Sequence, residues 1–93
     1  MSYRTKYVNL ATTGQVAAGE CWLAGMYVNS TSSGTLMLLD YTSNTGIAWA
    51  IGGTITPAIG YHNLGNVHLT RGCYARFAGT SLNVTFHILE ANT

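Results

Sequence analysis

Few ionisable side chains in this chain could do acid or base chemistry, although many hydroxyls could serve as nucleophiles. The ionisable candidates are three histidines and three carboxylates, namely His62, His68, His87, Asp40, Glu20 and Glu90. A Ser-His-Asp site could use Asp40 with His62 or His68, but such triads depend on geometry that spacing does not supply. No Gly-x-Ser-x-Gly turn is present, and three carboxylates offer little for glycosidase chemistry, which needs a matched pair. The residues therefore favour a protein that is not an enzyme.

Metal and cofactor sites are not predicted either. Symmetry could gather one histidine from each of three subunits around an axis, but polar-face histidines that bond to neighbouring loops or lie in solvent are the favoured interpretation. Cys21 and Cys73 lie far apart and match no zinc spacing. A disulfide between facing strands is one reading of the pair, and free buried thiols of a protein assembled inside a cell are the preferred one.

Aromatic and basic residues supply the candidates for ligand binding. Trp49, Tyr61 and His62 could form a sugar-stacking site, although aromatic residues in strands more often belong to a core or an interface. Arg71 and Arg76 could meet a phosphate or a partner's carboxylate, or could fix a loop.

The composition points to assembly. Charged residues make up 8% of the chain, against about 25% in ordinary soluble domains. Depletion of charge with aromatic residues and methionine retained is typical of buried interface cores. The net charge is +1 and the four basic residues are scattered, so we expect no nucleic-acid partner. We expect no membrane partner, because no 18-residue apolar run occurs, and no secretory signal, because the first residues are polar.

Short apolar or alternating runs between glycine-rich reversals predict an all-β fold, a single small β-sandwich or jelly-roll domain of about seven to eight antiparallel strands. Residues 1–19 are predicted to be an N-terminal arm or edge strand with a linker, and residues 20–93 the sandwich. The predicted strands cover residues 3–10, 20–29, 35–41, 47–51, 59–63, 67–70, 73–78 and 82–88. The last has the clearest alternation, with Leu82, Val84, Phe86 and Ile88 inward.

Two of these strands are apolar on both faces, namely residues 20–29 and 35–41. A strand of that kind is covered on both sides, and we expect another subunit to provide the second cover. The residues predicted at such an interface are Trp22, Met26, Met37, Leu39, Arg71, Tyr74 and Arg76.

Three segments carry a resemblance to a known group of proteins. They are Gly-Thr-Leu-Met-Leu-Leu-Asp at 34–40, followed by a polar turn and Gly46, Thr-Pro-Ala-Ile-Gly-Tyr-His-Asn-Leu-Gly at 56–65, and Gly-Cys-Tyr-Ala-Arg-Phe-Ala-Gly-Thr at 72–80. With the alternating strand that follows, this pattern resembles small β-sandwich virion proteins of tailed bacteriophages, over about residues 21–89. Those proteins serve as capsid decorations, head-fibre subunits or bases of spikes and tails.

The resemblance implies a non-enzymatic homo-oligomer, commonly a trimer, without a cofactor. It implies docking on the major capsid protein or another virion protein through the N-terminal arm and one face, and a location in the virion after assembly in the host cytoplasm. The alternative that we keep open is a carbohydrate-binding module at a fibre tip.

Overall fold

The structure is a computed structural model that describes residues 2–31, 34–45, 47–79 and 82–92. Within those ranges it contains seven strands and one short 3₁₀ helix, which confirms the predicted all-β class. The strands are β1 Ser2–Leu10, β2 Gly14–Ala17, β3 Cys21–Ser30, β4 Thr35–Leu39, β5 Gly60–Leu69, β6 Cys73–Ala78 and β7 Asn83–Asn92, and the 3₁₀ helix is Ile47–Trp49. No helix in the described part of the chain is long and apolar enough to cross a membrane.

The strands form two antiparallel sheets. One has four strands in the order β1-β7-β3-β5, and the other has three strands in the order β2-β6-β4. The predicted sandwich is therefore confirmed, with one hydrophobic core to which both sheets contribute. The inward side chains of β7 are the ones its alternation predicts, namely Leu82 just before the strand, then Val84, Phe86 and Ile88.

Strand β3 changes which of its alternate residues face the core. Its pairing with β7 slips by one residue between Leu23 and Gly25, so that Ala24 is the extra residue of a β-bulge. The buried large side chains before and after the bulge are Cys21 and Leu23, then Met26 and Val28. In the sequence the strand looks apolar on both faces because its core-facing residues have odd numbers before the bulge and even numbers after it. Met26 accordingly belongs to the core of this chain, at 1% exposure, and its side chain is not offered to another subunit.

On the outer face of strand β4, Leu39 is covered by the chain itself. Leu39 is fully buried but lies outside the main core cluster, and it forms a bridge with Ala50 in the long connection between β4 and β5. Backbone hydrogen bonds from Asp40 N–H to the Trp49 oxygen and from Ile51 N–H to the Leu38 oxygen, 2.8 and 3.0 Å, hold this connection along the edge of β4.

The connection is not the predicted strand at residues 47–51. Residues Ile47–Trp49 form a 3₁₀ helix, closed by a hydrogen bond from Ala50 N–H to the Ile47 oxygen. Within this segment Ala50 forms one isolated bridge to β4, opposite Leu39, and the second bridge of the connection pairs Ile55 with Leu36.

Strand β5 joins two segments that the sequence separates. The predicted strands at residues 59–63 and 67–70 form one strand with an irregularity at Gly65 and Asn66, both of which have positive φ, 72° and 57°. Three residues of β5, 64–66, lie opposite the single residue Ala24 of β3. The side-chain oxygen of Asn63 accepts a hydrogen bond of 2.9 Å from Gly65 N–H and stabilises the turn.

The first nineteen residues contribute to both sheets. Strand β1 lies at the edge of the four-stranded sheet and pairs with β7 from Ser2 opposite Asn92 to Leu10 opposite Val84. The following segment, predicted as a linker, contains β2, which pairs with β6 in the other sheet.

Candidate binding surfaces

The outer surface of the four-stranded sheet carries most of the aromatic rings of the chain. We call it the aromatic face and define it by Tyr3, Tyr7, Trp22, Tyr27, Tyr61, His68 and His87. Tyr7 and Tyr61 are 65% and 51% exposed. The face arises because each strand directs alternate residues away from the core, and the bulge at Ala24 sends both Trp22 and Tyr27 outward.

Tyr61 lies across the sheet rather than standing out from it. Its position on β5 is opposite Tyr27, yet its phenol end reaches the neighbouring Gly25 of β3. A methyl group at Gly25 would lie 2.6 Å from Tyr61 Cζ and 2.8 Å from the His62 carbonyl oxygen. The missing side chain of Gly25 therefore leaves the space that the phenol end of Tyr61 occupies.

Two further rings continue this arrangement across the strands. The centroid of the His87 ring is 5.3 Å from that of Tyr61 and 4.7 Å from that of Tyr7, and the Tyr7 ring meets the imidazole edge to face. The row crosses from β1 over β7 to β3, because the Tyr61 side chain reaches from β5 to Gly25. We call Tyr7, His87 and Tyr61 the aromatic row.

A second group of rings lies nearer the ends of β1 and β7. Trp22 stacks on His68 with ring centroids 4.7 Å apart and planes 7° apart, and it meets Tyr3 edge to face. His68 Nε2 lies 2.7 Å from a Glu20 oxygen, a contact that fixes the imidazole orientation. Tyr3, Trp22, Asn66 and Leu89 line an open depression of about 280 Å³. Both members of the His68–Glu20 pair are about half exposed to solvent.

Amide and hydroxyl groups lie beyond the aromatic row on the same face. The Asn9 and Asn29 side-chain NH₂ groups both donate to the Asn83 Oδ1 and Thr85 Oγ atoms, at 2.9–3.0 Å. The four residues come from β1, β3 and β7, so the network joins three strands. It presents fixed polar groups at exposed positions.

Charged side chains lie elsewhere, apart from Glu20 at the Trp22 end. In β1, Arg4 and Lys6 lie on the same side of the sheet as Ile88, which faces the core. Arg4 Nη2 and Lys6 Nζ lie 3.5 and 3.9 Å from Glu90 Oε1. Asp40, Arg71 and Arg76 belong to the side of the three-stranded sheet. The aromatic row and the amide network therefore contain no Asp, Glu, Lys or Arg side chain.

A second surface lies on the three-stranded sheet and the connection along its edge. We call it the β4 surface and define it by Met37, Ile47, Ile51, Ile55 and Arg76. A depression of about 290 Å³ is bordered by Met37, Ile47 and Arg76, together with Thr35, Thr54 and Ala78. Ile51 and Ile55 lie beside Leu36 and Leu38 at the edge of β4. The three isoleucines are 41–53% exposed, so this surface is apolar with one cation.

Arg71 fixes the connection beside β4. Its guanidinium carbon lies 3.4 Å from the centroid of the Trp49 ring, and its Nη1 lies 3.8 Å from Asp40 Oδ2. The Arg71 backbone N–H donates to the other Asp40 oxygen at 2.9 Å. One side of the Trp49 ring is thus occupied by an internal cation–π contact.

The structure does not bring the three predicted ligand-binding residues together. Tyr61 lies on the aromatic face, whereas His62 has the opposite alternation, is opposite the buried Met26, and contacts the Ala58 carbonyl oxygen at 2.7 Å. Trp49 lies beside β4. In the described part of the chain no three His, Cys, Asp or Glu residues are grouped as metal ligands.

The predicted interface residues divide among three places. Trp22 lies on the aromatic face, and Met37, Tyr74 and Arg76 share the outer side of the three-stranded sheet, with Met37 opposite Arg76. Arg71 lies in the adjoining loop. Met26 and Leu39 are buried within the chain and have no side-chain surface for a partner.

The two cysteines are free thiols buried in the core, as the sequence favoured. Burial raises the pKa of Cys21 to about 11, with a smaller contribution from the Glu90 carboxylate. Burial also raises the pKa of Cys73, and the neighbouring Cys21 adds to the effect. Both groups are therefore protonated at neutral pH.

Five members of the aromatic face were not among the predicted site residues, namely Tyr3, Tyr7, Tyr27, His68 and His87. The alternation of residues along β1 could have shown from the sequence that Tyr3 and Tyr7 lie on the same face of the strand. Tyr27 and Trp22 occupy positions of different parity, and only the bulge places them on one face.

Comparison of the chain with protein-family models, with curated proteins and with solved structures found no match.

Proposed function

We propose that this protein is a non-enzymatic structural component of a bacteriophage virion that forms homo-oligomers and docks on the major capsid protein or another virion protein. One observation carries the proposal. Ten large hydrophobic side chains in the described ranges are 37–65% exposed, in a chain with four basic and three acidic residues. A free surface of this kind favours association. The virion setting and the trimeric state come from the resemblance.

The β4 surface is the proposed contact between copies. It combines methionine, isoleucine and arginine, and methionine and arginine are enriched at protein interfaces. Tyr74 extends it on β6, where it lies opposite Leu39. Hydrophobic side chains at the centre of a contact with Arg76 at its border would match the usual arrangement of an apolar core and a polar rim.

Sedimentation velocity over a wide range of protein concentration tests self-association. We expect the wild-type protein to be an oligomer, and Ile47→Asp to shift it toward monomer because the variant places a charge inside the apolar contact. Tyr74→Ala should weaken the oligomer in the same direction. Ile59→Asp is the matched control, since Ile59 is exposed, at 64%, and is not part of the β4 surface.

A stable wild-type monomer at every concentration would contradict the homo-oligomer, and equal effects of the two aspartate variants would contradict the β4 surface. The virion proposal is tested by the number of copies in purified particles. Enough copies to cover the shell would indicate decoration, a few would indicate a vertex, tail or fibre, and none would exclude a virion role.

A second candidate function is carbohydrate binding, and one observation favours it. The phenol end of Tyr61 lies over Gly25, and the residue is 51% exposed. An accessible aromatic ring can stack against a sugar.

A further inference from the structure

We infer that the aromatic face binds a neutral glycan chain, with the open side of the Tyr61 ring as its stacking platform. This inference rests on the second candidate function, for which it specifies the ligand and the site. It does not depend on self-association through the β4 surface.

The position of Tyr61 gives the first part of the reasoning. The face of an aromatic ring is electron-rich and attracts the polarised C–H bonds that cover one side of a pyranose. Tyr61 reaches across the sheet to Gly25 and is 51% exposed, so its ring is accessible to such a group. The contact with Gly25 also holds the ring in place before a ligand binds, which reduces the entropy lost on binding.

The neighbours of Tyr61 give the second part. Tyr7 and His87 extend the platform across β7 to β1. The network of Asn9, Asn29, Asn83 and Thr85 borders the row. Amide and hydroxyl groups in fixed positions pair with sugar hydroxyls, which both donate and accept hydrogen bonds. Apolar stacking surface beside a few oriented polar groups is the usual composition of a small-ligand site.

The absence of Asp, Glu, Lys and Arg side chains from the aromatic row and the amide network selects the ligand class. Single-stranded nucleic acid also stacks on aromatic rings of a sheet, but it requires a positively charged groove along its backbone. An acidic polysaccharide would likewise need cations. The nearest basic residues of β1, Arg4 and Lys6, share the inward alternation and pair with Glu90. A surface without these charged side chains complements a glycan chain without charge.

Affinity electrophoresis in native gels tests the inference. The probes are three neutral polysaccharides, laminarin, mannan and amylose, with alginate and a single-stranded DNA oligonucleotide as charged competitors. We expect wild-type protein to be retarded by at least one neutral polysaccharide. Tyr61→Ala should weaken that binding about tenfold, whereas Tyr61→Phe, which keeps the ring, should stay close to wild type. Tyr7→Ala should give a smaller loss.

Self-association is separated from glycan binding by a second pair of variants. Ile47→Asp should retain Tyr61-dependent retardation even where it reduces oligomerisation, since its position lies on the other sheet. The Tyr61→Ala effect is measured again in that background, and the same ratio is expected. This removes the contribution of multivalent binding by oligomers.

Three results would overturn the inference. They are no retardation by any neutral polysaccharide, equal binding by wild type and Tyr61→Ala, and a preference for alginate or DNA. Each would leave the sedimentation result for the β4 surface unaffected, so failure of the glycan site and failure of the structural role are distinguishable.

Discussion

The contact between Gly25 and Tyr61 makes a quantitative prediction about stability. In Gly25→Ala the new methyl group would meet the Tyr61 ring and, at 2.8 Å, the His62 carbonyl oxygen. The flexible ring can move away, whereas the backbone oxygen cannot. Inserting a methyl group into a filled site costs about 1–3 kcal/mol, and the lower entropy of unfolded alanine offsets about 0.4–1 kcal/mol of that. We expect Gly25→Ala to lower the free energy of unfolding by about 1–2 kcal/mol.

The value of the Tyr61 contact then follows from a double-mutant cycle. Tyr61→Ala alone removes the packing on Gly25 and the approach to His87, which is worth about 1 kcal/mol. In Gly25→Ala the ring is already displaced, so Tyr61→Ala should cost less than about 0.5 kcal/mol in that background. Urea unfolding followed by tryptophan fluorescence measures all four proteins. One fixed protein concentration is required, because association adds to apparent stability.

Equal costs of Tyr61→Ala in the two backgrounds would refute the reasoning, because they would mean that the methyl group leaves the ring where it was. The same variant also bears on glycan binding. If Gly25→Ala displaces the ring, it should weaken neutral-glycan retardation as Tyr61→Ala does.

Two further predictions concern the core and the connection beside β4. Asp40→Ala removes the acceptor of the Arg71 backbone N–H and should lower the free energy of unfolding in urea by about 1–3 kcal/mol. Asp40→Asn keeps an oxygen at that position and should cost less than about 1 kcal/mol, because the 3.8 Å ion pair that it removes is partly exposed. Equal losses in the two variants would contradict this reasoning. Because the folded pKa of Cys21, about 11, exceeds its unfolded value of 9.0, the stability due to this thiol is complete below pH 9 and falls as the pH rises toward 11. The urea midpoint should decline over that interval more in wild type than in Cys21→Ala, and a parallel decline would exclude a contribution from the thiol.

The parts of the fold that the sequence predicted are those with a regular alternation. Strand β7 keeps one phase from Leu82 to Ile88, so its inward side chains follow directly from the pattern. The extent of β6 was predicted for the same reason, between clear turn residues. Local pattern suffices where a strand is straight and the sheet has one buried face.

The alternation of residues did not predict which side chains face the core where a bulge shifts that alternation within a strand. The bulge at Ala24 depends on how β3 meets two neighbours that lie more than thirty residues further along the chain. Without it, Met26 was assigned to an interface and the common face of Trp22 and Tyr27 was hidden. Residues 47–51 alternate like a strand, but they form a single bridge with the edge of β4, between Ala50 and Leu39.

The sequence predicted the types of residue in the candidate site better than it predicted which of them lie together in the fold. Tyr61 was named from the sequence, but its partners come from strands remote in sequence. His62 follows it directly and yet faces the other way, because successive residues of a strand alternate.

The central position of β7 limits when this protein can fold during its synthesis. Strands β1 and β3 flank β7 and are not hydrogen-bonded neighbours in the sheet. The four-stranded sheet therefore cannot form until residues 83–92 have been translated. A ribosome-bound chain arrested before residue 83 would carry β1 without a partner, and its hydrophobic strands would stay exposed to chaperones until translation of β7 is complete.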